Sequence, residues 1–126
     1  MSTVLTQGNY PGDWLKEEFS RNYCREEGVI ASGQTLVSGQ VVAIVTATGE
    51  YTAYDDDGSG GAEAAAGVLY FDVDAASAAK PGVILRRGPA VVSKAGLTWG
   101  SANDSTDITH GLADLLALGI VAREGV

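Results

Sequence analysis

A mostly β domain with one C-terminal α-helix, preceded by a flexible N-terminal arm, is the architecture this sequence predicts. Three observations carry that reading. Glycine is abundant, at 17 of 126 residues, while aromatic residues make up only 7%. Short strands joined by tight turns give that profile, because turns need glycine's access to positive φ. Residues 41–47 form an almost unbroken apolar, β-branched run, as in a strand covered on both faces. Only residues 105–119 combine helically spaced leucines with a capping residue at the start and a glycine at the end. A chain of 126 residues with 45% apolar content fits one compact domain, burying roughly two-thirds of its unfolded surface.

The elements follow in order. Residues 1–12 are polar and without periodicity, and they end in Asn9-Tyr10-Pro11-Gly12, where Pro and Gly stand at the positions a type II turn prefers. Asp13 is placed to cap a short helix in which Leu15, Phe19 and Tyr23 repeat every four residues. Charge is dense in that segment, so it is expected to be half buried at best. From Gly28 the texture turns to β. Residues 28–32 read as a short strand. Ser32-Gly33-Gln34 and Ser38-Gly39-Gln40 repeat one tripeptide and read as two turns, with Leu36 and Val37 tucked inward between them. Residues 41–47, 51–54, 66–74, 83–88 and 90–94 supply further strands, and Pro81-Gly82 reads as a turn. Gly88-Pro89 divides two of these strands, since Pro has no N–H to give a ladder. In the helix, Ser105, Thr106 or Asp107 would serve as N-cap. Ile108, Leu112, Leu115 and Leu116 share a face, and Gly119 is the stop. Residues 120–123 return as a strand.

Charge and motif content exclude several functions. The net charge is −8 and the pI about 4.4; binding nucleic acid takes a basic stripe, and the nearest approach is the pair Arg86-Arg87. The single cysteine, Cys24, forms no intrachain disulfide, which suits a reducing cytoplasm. No signal peptide is expected, because residues 1–10 have no basic start followed by an apolar core, and no membrane span, because the longest apolar stretch, residues 111–122, is short and contains Asp114. The only histidine, His110, has Ser105 and Asp107 near it in sequence but no nucleophile-elbow pattern, and it reads as a surface residue. Cys24 has no histidine beside it to activate it and reads as a passive thiol. Asp55-Asp56-Asp57-Gly58, even with Asp72 and Asp74, fails as a calcium loop because position twelve is Ala66, not Glu. The glycines of residues 32–40 lack the lysine and following helix of a phosphate loop. No metal, cofactor or catalytic residue is expected, and the chain reads as a non-enzyme.

The order of the blocks YPGDWLKEEFSRNYCRE, VIASGQTLVSGQVVAIVTATGEYTAYD, AAGVLYFDVDA, LRRGPAVVSKAGLTW and LADLLALGIVAREG resembles the head decoration proteins of tailed bacteriophages, the family of the lambda capsid-stabilising protein. The resemblance spans residues 10–125. It implies a small β-clip-like domain that assembles as a homotrimer. Trimers would bind the outer surface of the expanded capsid at local threefold positions, clamp the major capsid protein and resist the pressure of packaged DNA. It further implies a virion location after synthesis in the host cytoplasm, with no membrane or direct nucleic-acid partner. Residues 1–15 match the flexible capsid-binding arm and residues 16–126 the decoration domain. Within the arm, Val4, Leu5, Tyr10, Pro11, Gly12 and Trp14 are the expected capsid contacts. Such an arm should be polar and unpatterned alone yet carry a few anchors, and three arms on one trimer reinforce one another through effective concentration. The alternative reading is a β-clip module that recognises a surface glycan through a concave aromatic or polar pocket.

Overall fold

The computed structural model describes residues 14–100 and 103–124. Ten strands, two α-helices and one 3-10 helix (Lys94–Gly96) occupy them: β1 (Leu15–Glu18), α1 (Arg21–Cys24), β2 (Arg25–Ile30), β3 (Gln34–Leu36), β4 (Val41–Ile44), β5 (Tyr51–Ala53), β6 (Ala65–Leu69), β7 (Val73–Ala75), β8 (Lys80–Leu85), β9 (Ala90–Ser93), α2 (Ser105–Ala117) and β10 (Ile120–Arg123). The chain is therefore mostly β with a C-terminal helix, as expected.

Five strands close into a barrel in the order β2-β5-β4-β6-β8, with β8 returning antiparallel onto β2. A three-stranded sheet β1-β9-β10 and the pair β3-β7 complete the strands. Side chains alternate across each strand, and the barrel strands use that alternation to feed two cores. Ile30, Val42, Tyr51, Leu69 and Ile84 come one from each barrel strand and pack together, filling the interior. Their sequence neighbours Val41, Val68 and Leu85 point the other way. These pack outside the wall with Trp14, Tyr54, Tyr70, Val92, Leu115 and Ile120, under the three-stranded sheet and α2. The apolar run expected as one strand over residues 41–47 is covered on both faces only in β4, at residues 41–44, and the chain turns at residues 46–48 with Thr46 and Ala47 exposed.

Four further expectations are corrected. Residues 15–23 do not form one helix, and the expected cap, Asp13, lies outside the described residues. β1 pairs antiparallel with β9, matching Leu15 to Val92 and Glu18 to Ala90, and only one helical turn follows. A ladder offered by another strand outweighs a four-residue apolar spacing. Residues 66–74 are two strands, β6 and β7, because the chain leaves the barrel at Tyr70 to pair β7 with β3. Pro81-Gly82 lies within β8, where Pro81 faces Val29 of β2. β6 flanks β8 only at Ile84 and Leu85, so Pro81 stands where the other side is an edge and its missing N–H breaks no ladder. The N-cap of α2 is Asp104, one residue earlier than expected. Its side chain accepts from Asp107 N while the Asp107 side chain accepts from Asp104 N, a reciprocal capping box. The buried stripe of α2 runs through Gly111 and Leu115, and it leaves Leu116 60% exposed. The helix rotates to bring Gly111 against the Trp99 ring, where a Cβ would sit 2.4 Å from the indole.

Candidate functional site

Of the residues expected to form the arm's contacts, Val4, Leu5, Tyr10, Pro11 and Gly12 lie outside the described residues. Trp14 is described, and it is fully buried. Its indole packs edge-on against Tyr70, with centroids 5.3 Å apart, and its Nε1 donates to Ser38 Oγ at 2.9 Å. Ser38 is itself 1% exposed and passes a hydrogen bond on to the Tyr70 carbonyl at 2.5 Å. A buried indole N–H needs such a partner, since leaving one unpaired costs about 1–3 kcal/mol.

The second Ser-Gly-Gln turn supplies that partner. Gly39 has φ +87°, and a Cβ on it would stand 2.8 Å from Trp14 Cδ1. Only glycine lets the turn adopt this backbone and also seat the indole. The turn is tied down from both sides. Gly39 N donates to Leu69 O, and Gly39 O accepts from Thr98 N. Asp72 Oδ1 accepts from Ser38 N at 2.8 Å. The first turn also has its glycine at positive φ, with Gly33 at +93°, but nothing lies within 4 Å of its Cβ position.

The centre extends outward through Tyr70. Its hydroxyl donates to Glu18 in β1, and Glu18 in turn receives the Arg25 fork, Nη2 to Oε1 at 2.7 Å and Nε to Oε2 at 3.3 Å. The Arg25 guanidinium also lies 4.0 Å over the Tyr70 ring. Burial, and then the hydrogen bond to Glu18, hold the Tyr70 hydroxyl well above its ordinary pKa, so it remains a donor. Three separated segments, residues 14–25, 38–39 and 70, thus lock Trp14, the root of the described domain, in place. Beside this root lies an open groove of about 400 Å³ lined by Glu17, Glu18, Phe19, Pro89, Val91 and Val121, among others. Phe19 and Tyr23 stand next to it, 73% and 55% exposed and edge-to-face at 6.4 Å.

The remaining sequence candidates separate. Cys24 is fully buried, and its Sγ faces the Pro89 carbonyl at 3.9 Å. Asp72 and Asp74 hold backbone N–H groups of Ser38 and Ala76 and do not join Asp56. His110 is not a solitary surface residue, because its Nδ1 lies 2.7 Å from Asp56 Oδ2. Ser38, Tyr70, Glu18 and Arg25 were not singled out from sequence. The repeated tripeptide was the available signal for Ser38, but nothing in one dimension paired it with Trp14.

A closed barrel with a side sheet and a C-terminal helix, its Trp14 locked by Ser38 and Tyr70, defines a small β-rich module. The comparison with protein families places it: the family model of the bacteriophage lambda head decoration protein D matches residues 4–120, and the chain belongs to that family. It is accordingly a structural protein of phage heads and not an enzyme. Among curated proteins no match was found.

Proposed function

We propose that this protein acts as a homotrimer on the outer surface of the expanded capsid, at local threefold positions, and stabilises the head against packaged DNA. The observation that carries the proposal is the family match, which begins at residue 4 and so includes nearly all of the arm. In this reading, Val4, Leu5, Tyr10, Pro11 and Gly12 contact the major capsid protein. Trp14 acts from within the domain as the root that sets the arm's direction, supported by its burial and its bond to Ser38. Phe19 and Tyr23, exposed beside that root, are placed to meet the same partner. The protein is made in the host cytoplasm and resides on the virion, and its surplus of negative charge disfavours direct contact with DNA.

The test is co-sedimentation with expanded, undecorated heads of the cognate phage, alongside sedimentation analysis of the free protein. Full-length protein should bind in multiples of three and raise the temperature at which heads release DNA. A chain lacking residues 2–13 should keep its fold and bind heads poorly. Failure of the full-length protein to bind expanded heads defeats the proposal, and undiminished binding after the deletion removes the arm from it.

A further inference from the structure

A second cluster of polar groups lies apart from the arm root. Asp56, in the loop after β5, and Asp107 and His110, in the first turns of α2, each offer one donor atom, and these atoms all lie within 4.8 Å of one another. Positions three apart on a helix share a face, so Asp107 and His110 form one side of the cluster and the loop brings Asp56 to the other. The carboxylates are held from behind. Asp56 Oδ1 accepts from the Tyr54 hydroxyl at 2.9 Å, and Asp56 N donates to Asn103 Oδ1 at 3.1 Å. Asp107 Oδ2 accepts from Asp104 N at 3.1 Å. Capping accounts for Asp104 and Asp107, and Tyr54 accounts for one oxygen of Asp56. The 2.7 Å pairing of His110 Nδ1 with Asp56 Oδ2 joins two of the three groups directly, and an oxygen of Asp107 lies within 4.8 Å of both. The ion pairs of Arg25, Arg86, Arg87 and Lys94 go to Glu18, Glu26 and Glu124, and none of these reaches Asp56 or Asp107.

We propose that Asp56, Asp107 and His110 bind a divalent transition-metal ion of the zinc type, which fastens the loop of residues 55–64 to the start of α2. One imidazole nitrogen with two carboxylate oxygens, open to solvent at His110, is a donor set such an ion accepts, with water in the fourth position. Magnesium and calcium prefer all-oxygen surroundings and fit less well. Donors at about 2.0–2.2 Å from a tetrahedral ion lie roughly 3.3 Å apart. His110 Nδ1 and Asp56 Oδ2, now at 2.7 Å, therefore need to part by less than about 1 Å. His110 is 58% exposed on its side chain, so it has room to move. The partners behind the carboxylates are the kind that orient metal ligands. This inference does not depend on capsid binding.

The test uses untagged, full-length protein stripped with a chelator and titrated calorimetrically with Zn²⁺, and with Co²⁺ for its visible absorption. One ion per chain should bind, and Mg²⁺ and Ca²⁺ should give no saturable heat. His110→Ala and Asp56→Asn should each weaken Zn²⁺ binding by at least about tenfold, with circular dichroism confirming the fold. Cys24→Ala should leave binding intact, since that thiol is buried elsewhere. The imidazole resonances of the single histidine offer a readout without any substitution and should shift on adding Zn²⁺. Absence of saturable binding by folded wild-type protein overturns the proposal. So does binding that survives His110→Ala undiminished, or that disappears in Cys24→Ala.

Discussion

The two polar centres of this molecule share a plan. In each, a tyrosine hydroxyl donates to a carboxylate that a basic side chain backs: Tyr70, Glu18 and Arg25 beside Trp14, Tyr54, Asp56 and His110 at the start of α2. Both tyrosines have pKa values pushed well up, by burial first and by the neighbouring carboxylate next. The difference lies in the cation and its cover. Arg25 is a planar fork that grips both oxygens of Glu18, stacks on the ring it serves and stays charged at all ordinary pH. His110 is mostly exposed, and its imidazole, with its pKa raised by the hydrogen bond to Asp56, can lose the proton that a guanidinium keeps. One plan thus yields a permanent lock at the root and a centre open to pH and metal ions at the helix. Both are tied into the core, the first through Trp14 and Tyr70 and the second through Tyr54.

The comparison is tested most severely at Trp14. Trp14→Ala removes a fully buried indole and should cost about 3–5 kcal/mol in denaturant unfolding. A loss below about 1 kcal/mol would show that the root is an ornament of the fold and not part of it. The repeated turns offer the next contrast. Gly39→Val meets both positive φ and the Trp14 ring, for a loss of about 2–4 kcal/mol. Gly33→Val meets only the backbone cost, about 1–2 kcal/mol. Equal losses would mean that the indole does not constrain the second turn. Ser38→Ala leaves the Trp14 N–H without its partner and should cost about 1–3 kcal/mol, measured in the same way.

These residues also mark what a sequence can disclose. The alternation and apolar runs gave away most strands and the final helix, because period and burial are local signals. The two Ser-Gly-Gln turns were legible for the same reason, and Gly33 and Gly39 both take positive φ. What each turn touches was not legible. A Cβ on Gly39 would meet Trp14, 25 residues away, while one on Gly33 would meet nothing within 4 Å, although the tripeptides are identical. Trp14 was counted among the arm's contacts through the family resemblance, while its residue type alone suited packing on either the domain or a partner; it is buried in its own domain. β1 was hidden because the ladder that makes it a strand comes from β9, more than 70 residues later. His110 and Asp56, 54 residues apart, failed to stand out for a similar reason. Each is unremarkable until the loop and helix are brought together.

The smallest expected effect completes the contrast, because it depends on pH. Hydrogen bonding to Asp56, reinforced by its charge, raises the His110 pKa above the ordinary 6.5. A raised folded value means that the pair's contribution is fully present below 6.5 and is lost as pH rises through the folded value. The His110 contact likewise lowers Asp56 from its ordinary 3.8, so its contribution holds above 3.8 and fades as pH falls through the lowered value. The window therefore runs from the acid side of 3.8 to somewhat above 6.5. With a chelator present to exclude metal ions, His110→Ala should destabilise the protein at about pH 5.5 and have almost no effect at about pH 9. Arg25 holds its charge at both, so Ser38→Ala should cost the same at either pH. A His110→Ala loss independent of pH would mean that imidazole packing, and not the proton, does the work. The two centres would then differ only in burial.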